Sequence, residues 1–170
     1  MISKLDNTVF IVQARLNSQR VPHKMLRHFA DSNLFGIVLD KLLSSSIIPS
    51  DQIYASVYEE ELFYEANIKR NIRTFKRSFE SANNDSDITK IFEWHDKLPY
   101  KYVVIISGCN PLLKVETIDS FVKQFIEQIH IEGEFGLFSF KNILHPNNLH
   151  NIKHLGLKKI ILLKKQKTTL

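Results

Sequence analysis

The chain has 170 residues, 44% hydrophobic and 24% charged, which fits one globular domain with a sizeable core. A single cysteine excludes an intramolecular disulfide framework and a cysteine-rich zinc site, and no apolar run approaches the ~20 residues of a membrane span. Residues 151–170 hold six of the 23 basic residues and no acid, leaving 17 basic against 18 acidic residues elsewhere. The net charge of +5 therefore belongs to the end of the chain and argues against a domain-wide nucleic-acid face. A cytoplasmic protein is expected, because Lys4 and Asp6 precede only a short strand-like run and no signal-peptide core.

In chain order, Thr8 to Ala14 reads as a buried β-branched strand. Ser32 or Asn33 caps a helix through LFGIVLDKLLSS, whose apolar residues recur at helical spacing. Gln52 to Val57 is a second strand. EEELFYEANIKR is a helix with acids in its first turn, where they complement the dipole. A short third strand spans Ile72 to Phe75, and a helix is predicted from about Asp87. Tyr102 to Ser107 is the clearest strand, VETIDSFVKQFIEQIH an amphipathic helix, and Phe135 to Phe140 a closing strand.

Strands alternate with helices, and the best strands are continuously apolar. This predicts an α/β protein whose mostly parallel sheet is covered on both faces. In such sheets ligands sit beyond the carboxyl ends of strands. The loop after the first strand and "SGCNP" after the 102–107 strand leave at that same edge and face one crevice.

The first of these loops, "QARLNSQRVPHKML", carries Arg15, Arg20 and Lys24 directly behind a buried strand. An arginine fork can grip two phosphate oxygens, and lysine adds a mobile charge. Backbone amides of the Leu16–Ser18 turn would add donors, and Pro22 would stiffen the return toward Lys24. Spacing alone leaves a plain solvated loop equally open. The loop is neither a Walker loop nor the Rossmann glycine fingerprint, since the glycines of both are missing.

These residues resemble the signature opening of the cytidylyltransferases that activate acidic sugars, and of the related spore-coat polysaccharide group. The matching positions are Ala14, Arg15, Ser18, Arg20, Pro22, Lys24 and Leu26. "ISGCNPLLKVETIDSFVKQFI" resembles the family's strand, Pro-containing loop and helix opening on an Ile-Asp pair. "FKRSFESANNDSDITKIFEW" is similar to its Arg-containing segment before a helix.

The resemblance implies the three-layer α/β/α nucleotidyltransferase fold, Rossmann-like, over residues 1–150, followed by a basic tail of unsettled order at 151–170. It also implies transfer of CMP from CTP to an acidic sugar, for surface polysaccharide or glycan synthesis. A sugar hydroxyl attacks the α-phosphorus, pyrophosphate leaves, and Mg²⁺ bridges phosphates. Arg15 and Lys24 would hold the triphosphate and stabilise the leaving group. Ala14, Ser18, Arg20, Arg77 and Ser86 complete the nucleotide site, with Arg77 at base or ribose, and Ser107, Gly108, Cys109 and Asn110 line the floor toward the sugar. A homodimer is implied as well.

Two departures accompany the match. Cys109 stands where several relatives carry a metal-binding aspartate, and a thiol is a poor Mg²⁺ ligand, so the metal ligands are unknown. The chain is also shorter than the family's usual length. The alternative is therefore a shortened, catalytically weak or inactive nucleotide-binding or assembly subunit of the same fold.

Other features read more plainly. His145, His150 and His154 are polar loop histidines rather than a metal cluster, Cys109 is a small loop residue, and Trp94 is core. "LGLKKIILLKKQK" has the composition to lie on an anionic membrane or cover a sheet edge. A solvated or partly ordered terminus, with no stable membrane association, is the preferred reading.

Overall fold

The computed structural model describes residues 5–83, 88–95, 97–128, 138–139 and 160–164. Strand β1 (Thr8–Gln13) runs at the centre of a six-stranded sheet. The hairpin strands β2 (His28–Phe29) and β3 (Ser32–Asn33) lead into helix α1 (Leu34–Leu43). Then come β4 (Ile53–Val57), α2 (Glu60–Phe63) and β5 (Arg73–Lys76). Helices α3 (Phe79–Asn83) and α4 (Ile88–Ile91) precede β6 (Tyr102–Ser107) and α5 (Val115–Gln128). Strands β7 (Phe138–Ser139) and β8 (Ile160–Lys164) complete the described elements.

The sheet order is β5-β4-β1-β6-β8-β7, with β5, β4, β1 and β6 mutually parallel. Alternation along each strand divides the core into two layers. Phe10 and Val12 of β1 and Val104 and Ile106 of β6 face α1 and α5, where Phe35, Leu39, Leu42, Phe121 and Val122 are buried. Val9, Ile11, Val103 and Ile105 face the opposite way onto Trp94, whose ring meets Phe92 edge-on at 5.5 Å. This is the predicted mostly parallel sheet with helices on its flanks.

Asn33 caps α1 as expected, its side chain accepting from the Gly36 amide at 2.7 Å. After Phe63 the chain widens into a π-type turn, Tyr64–Ile68, before β5. Buried in that turn, Glu65 accepts from Lys69 at 2.5 Å and Arg70 at 2.9 Å, and Arg70 also grips Asp40 of α1. This ion network pins the π turn to α1.

Two expectations take a narrower form. The helix predicted from about Asp87 is α4, which begins at Ile88 but ends at Ile91, and the turn Phe92–His95 then delivers Trp94 into the core. Burying that ring outweighs extending the helix. Within the lysine-rich end, Ile160–Lys164 is a strand paired antiparallel to β6, with Leu163 opposite Val103. Its apolar IILL run covers the edge of β6. The predicted closing strand at 135–140 is seen at Phe138–Ser139. Its other positions, and the histidines at 145, 150 and 154, lie outside the described residues.

Candidate functional site

The chain passes from β1 to β4 and β5 on one side, then crosses back to β6 on the other. The switch point therefore lies between the carboxyl ends of β1 and β6, where open α/β sheets bind ligands. Gln13 is in register with Ser107, and the Gly108 amide donates to the Gln13 carbonyl at 3.2 Å. A Cβ on Gly108 would lie 3.1 Å from the Phe35 ring and 3.2 Å from the Ala14 Cβ. Glycine here lets the two predicted loops leave the sheet side by side.

The loop after β1 is tied down at successive residues. The Ala14 amide donates to the Ser56 carbonyl at 3.2 Å, and the Ala14 carbonyl accepts from Arg77 Nη1 at 3.4 Å. Arg15 Nη1 donates to the Ala82 carbonyl of α3 at 3.3 Å, and Asn17 donates to Asn83 at 2.6 Å. The Leu16 amide donates to Glu59 Oε1 at 2.8 Å. Ser18 and His23 both donate their amides to the Leu16 carbonyl, at 2.8 and 3.2 Å. His23 adopts left-handed backbone at φ 53°, which reverses the chain just before the short helical turn Lys24–Leu26.

The predicted residues thus fall into distinct situations. Arg15, Ser18 and Lys24 are half-buried on this loop, while Arg20 is exposed. Ala14 is buried beneath the loop. The donors expected from the Leu16–Ser18 turn are otherwise engaged at Leu16 and Ser18, because a carboxylate and a neighbouring carbonyl take them. Arg77 is only 5% exposed and binds the Ser81 hydroxyl at 3.0 Å and the Ser81 carbonyl, besides Ala14. At the β6 exit Gly108 is buried, and Ser107, Cys109 and Asn110 are half-buried, the Ser107 Oγ and Cys109 Sγ lying 3.2 Å apart. Ser86 lies outside the described residues.

Sequence reasoning missed Glu59, which reads as one of three acids opening a helix. Glu60 is exposed and pairs with Lys76 at 3.0 Å, whereas Glu59 turns back onto the loop. Only the adjacency of the β1 and β4 exits tells them apart.

For the Mg²⁺ expected by resemblance, the described residues show no clustered protein ligands. Among the described residues no three histidine, cysteine or acidic side chains group closely enough to hold a metal ion. Ser107, Cys109 and Asn110 offer a hydroxyl, a thiol and an amide, not the carboxylates that such a hard cation prefers. Among the described residues no helix is long and apolar enough to cross a membrane.

Comparison with known proteins fits this layout. A family model described as cytidylyltransferase matches residues 9–160. The chain belongs to the cytidylyltransferase family. It is 25% identical over 129 residues to the spore coat polysaccharide biosynthesis protein SpsF of Bacillus subtilis, a match covering 73% of this chain and 52% of that protein. This cytidylyltransferase chain therefore spans about half the length of that curated relative. A solved cytidylyltransferase from Leptospira borgpetersenii superposes with TM-score 0.63 at 20% identity, covering 93% of this chain and 60% of that one. A CMP:2-keto-3-deoxy-manno-octonic acid synthetase complexed with CTP superposes with TM-score 0.61 at 11% identity, covering 94% and 71%. At those identities the two structures speak for the shared fold.

Proposed function

We propose that this chain binds CTP at the 14–24 loop and serves transfer of CMP to an acidic sugar, releasing pyrophosphate. One observation carries the reading: the family's basic loop leaves β1 at the switch point of the sheet, against the exit of β6. Arg15 and Lys24 would grip the triphosphate and stabilise charge on the departing pyrophosphate. Ser18 and Arg20 would support the same phosphates. Arg77 acts on the nucleotide indirectly, because its donors hold Ala14 and Ser81 beneath the loop. Ser107, Cys109 and Asn110 would line the path toward the sugar, and Ser86 would close the nucleotide side. No step is assigned to a metal ion. Dimer formation and a cytoplasmic location follow from the family reading in the same way.

The second reading is a nucleotide-binding subunit with little or no turnover. It is favoured by the composition of the β6 exit, which has no carboxylate between Ser107 and Leu113. Pyrophosphate release from CTP, assayed against a panel of acidic sugars with a divalent cation supplied, separates the two. Release with one of the sugars supports the enzyme. CTP binding without release with any of them supports the subunit.

A further inference from the structure

We propose that Glu59 is a positioning residue for the 14–24 loop, acting through the Leu16 amide. Its bearing on nucleotide affinity rests on the CTP reading above. Glu59 stands between β4 and α2, and its backbone carbonyl accepts the Leu62 and Phe63 amides, each at 3.1 Å. Those bonds fix its backbone to the first turn of α2. Its side chain then reaches the Leu16 amide at 2.8 Å through Oε1, while Oε2 is buried with no hydrogen-bond partner.

A buried carboxylate oxygen left unpartnered is costly, so the fold retains this orientation against a penalty. Exposure would suit the side chain better if its only task were to favour the start of α2, as Glu60 shows at 75% exposure. What the inward orientation gains is a charge-assisted bond to the residue after Arg15. On the other side of Arg15, the Ala14 carbonyl is held by Arg77. The backbone on both sides of Arg15 is thereby anchored to β4 and β5 exits that lie more than forty residues away in sequence. With the Leu16 and Ser18 amides already engaged, these two donors are not offered to an anion, and the side chains of the loop take a larger share in its recognition. Fixing the backbone that carries Arg15, together with the bond from its Nη1 to the Ala82 carbonyl, then sets where its guanidinium points.

The test is hydrogen exchange of the Leu16 amide in the full chain, followed by NMR, with CTP titrated into the same samples. Glu59→Ala should speed Leu16 exchange by about tenfold or more while Val104 in β6 keeps its protection, and should weaken CTP binding by about tenfold. Glu59→Gln keeps an acceptor oxygen and should restore Leu16 protection and CTP affinity. If Glu59→Ala fails to fold, Glu59→Asp carries the same expectation, since one methylene fewer withdraws the acceptor. Unchanged Leu16 exchange would overturn the proposal. Faster exchange with unchanged CTP affinity would overturn the positioning role and leave the nucleotide reading standing. A wild-type chain that takes no CTP would defeat the nucleotide reading alone, and Leu16 exchange would still decide what Glu59 holds.

Discussion

Arg77 Nη1 donates to the main-chain carbonyl of Ala14 at 3.4 Å, joining the end of β5 to the end of β1. Its Nε and Nη2 bind the hydroxyl and carbonyl of Ser81, so one guanidinium spans two chain segments. The planar fork suits this task, and lysine, whose donors all sit on one nitrogen, does not replace it. Arg77→Lys should lower stability by about 2 kcal/mol in denaturant unfolding and weaken CTP binding together with it. A variant with wild-type stability and lost CTP affinity would instead place Arg77 directly on the nucleotide.

Gly108 allows no side chain without displacement, because its neighbours are the Phe35 ring, the Ala14 Cβ and the Gln13 carbonyl. None of these is the free end of a flexible side chain. Gly108→Ala should cost about 1–3 kcal/mol by thermal unfolding, through forced separation of the β1 and β6 exits. CTP affinity should fall as well, since both loops start at that contact.

The Glu65–Arg70 pair predicts a pH dependence. Burial pushes the Glu65 carboxyl up, but hydrogen bonds from Lys69, Asn33 and Arg70 outweigh it and hold the pKa below its ordinary 4.5. A depressed folded-state pKa contributes stability above pH 4.5, lost as pH falls through the lower folded value. Glu65→Gln should therefore show a shallower loss of stability in acid than the wild type, measured by urea unfolding across that range. Arg70→Met, which leaves Glu65 without its arginine partner, should cost about 3 kcal/mol near neutral pH.

Asp119 of α5 ties the turn after α1, accepting from Ser45 Oγ at 2.5 Å, Ser46 Oγ at 3.1 Å and the Ser46 amide at 3.4 Å. Its place in the family-like Ile-Asp pair is thus explained by the packing of α5 against α1. Asp119→Ala should lower stability by about 1–2 kcal/mol and leave CTP affinity within about twofold. A large loss of affinity at unchanged stability would give Asp119 a direct role in the site.

Much of this layout was legible in the residue pattern, and the exceptions share a cause. β1 and β6 read correctly because Val9–Val12 and Val103–Ile106 are buried on both faces, so their apolar character is continuous. Asn33 read as a cap because capping is a local bond to Gly36. Glu59 and Arg77 were not legible in their bracing roles, since each acts on backbone more than forty residues away. The helix expected from about Asp87 stops at Ile91, short of the buried Trp94, a tertiary demand invisible to helical periodicity. For β8 the sequence left open whether the apolar run among the lysines would cover a sheet edge or be solvated, and its pairing with β6 is a tertiary choice.

The most direct test of the central claim is calorimetric titration of CTP and ATP into the full chain and into Arg15→Ala. The account predicts that CTP binds more tightly than ATP, and that Arg15→Ala weakens CTP by about tenfold or more through loss of a charge-assisted phosphate contact. Absence of CTP binding to the wild-type chain, or equal binding by both proteins, would contradict it.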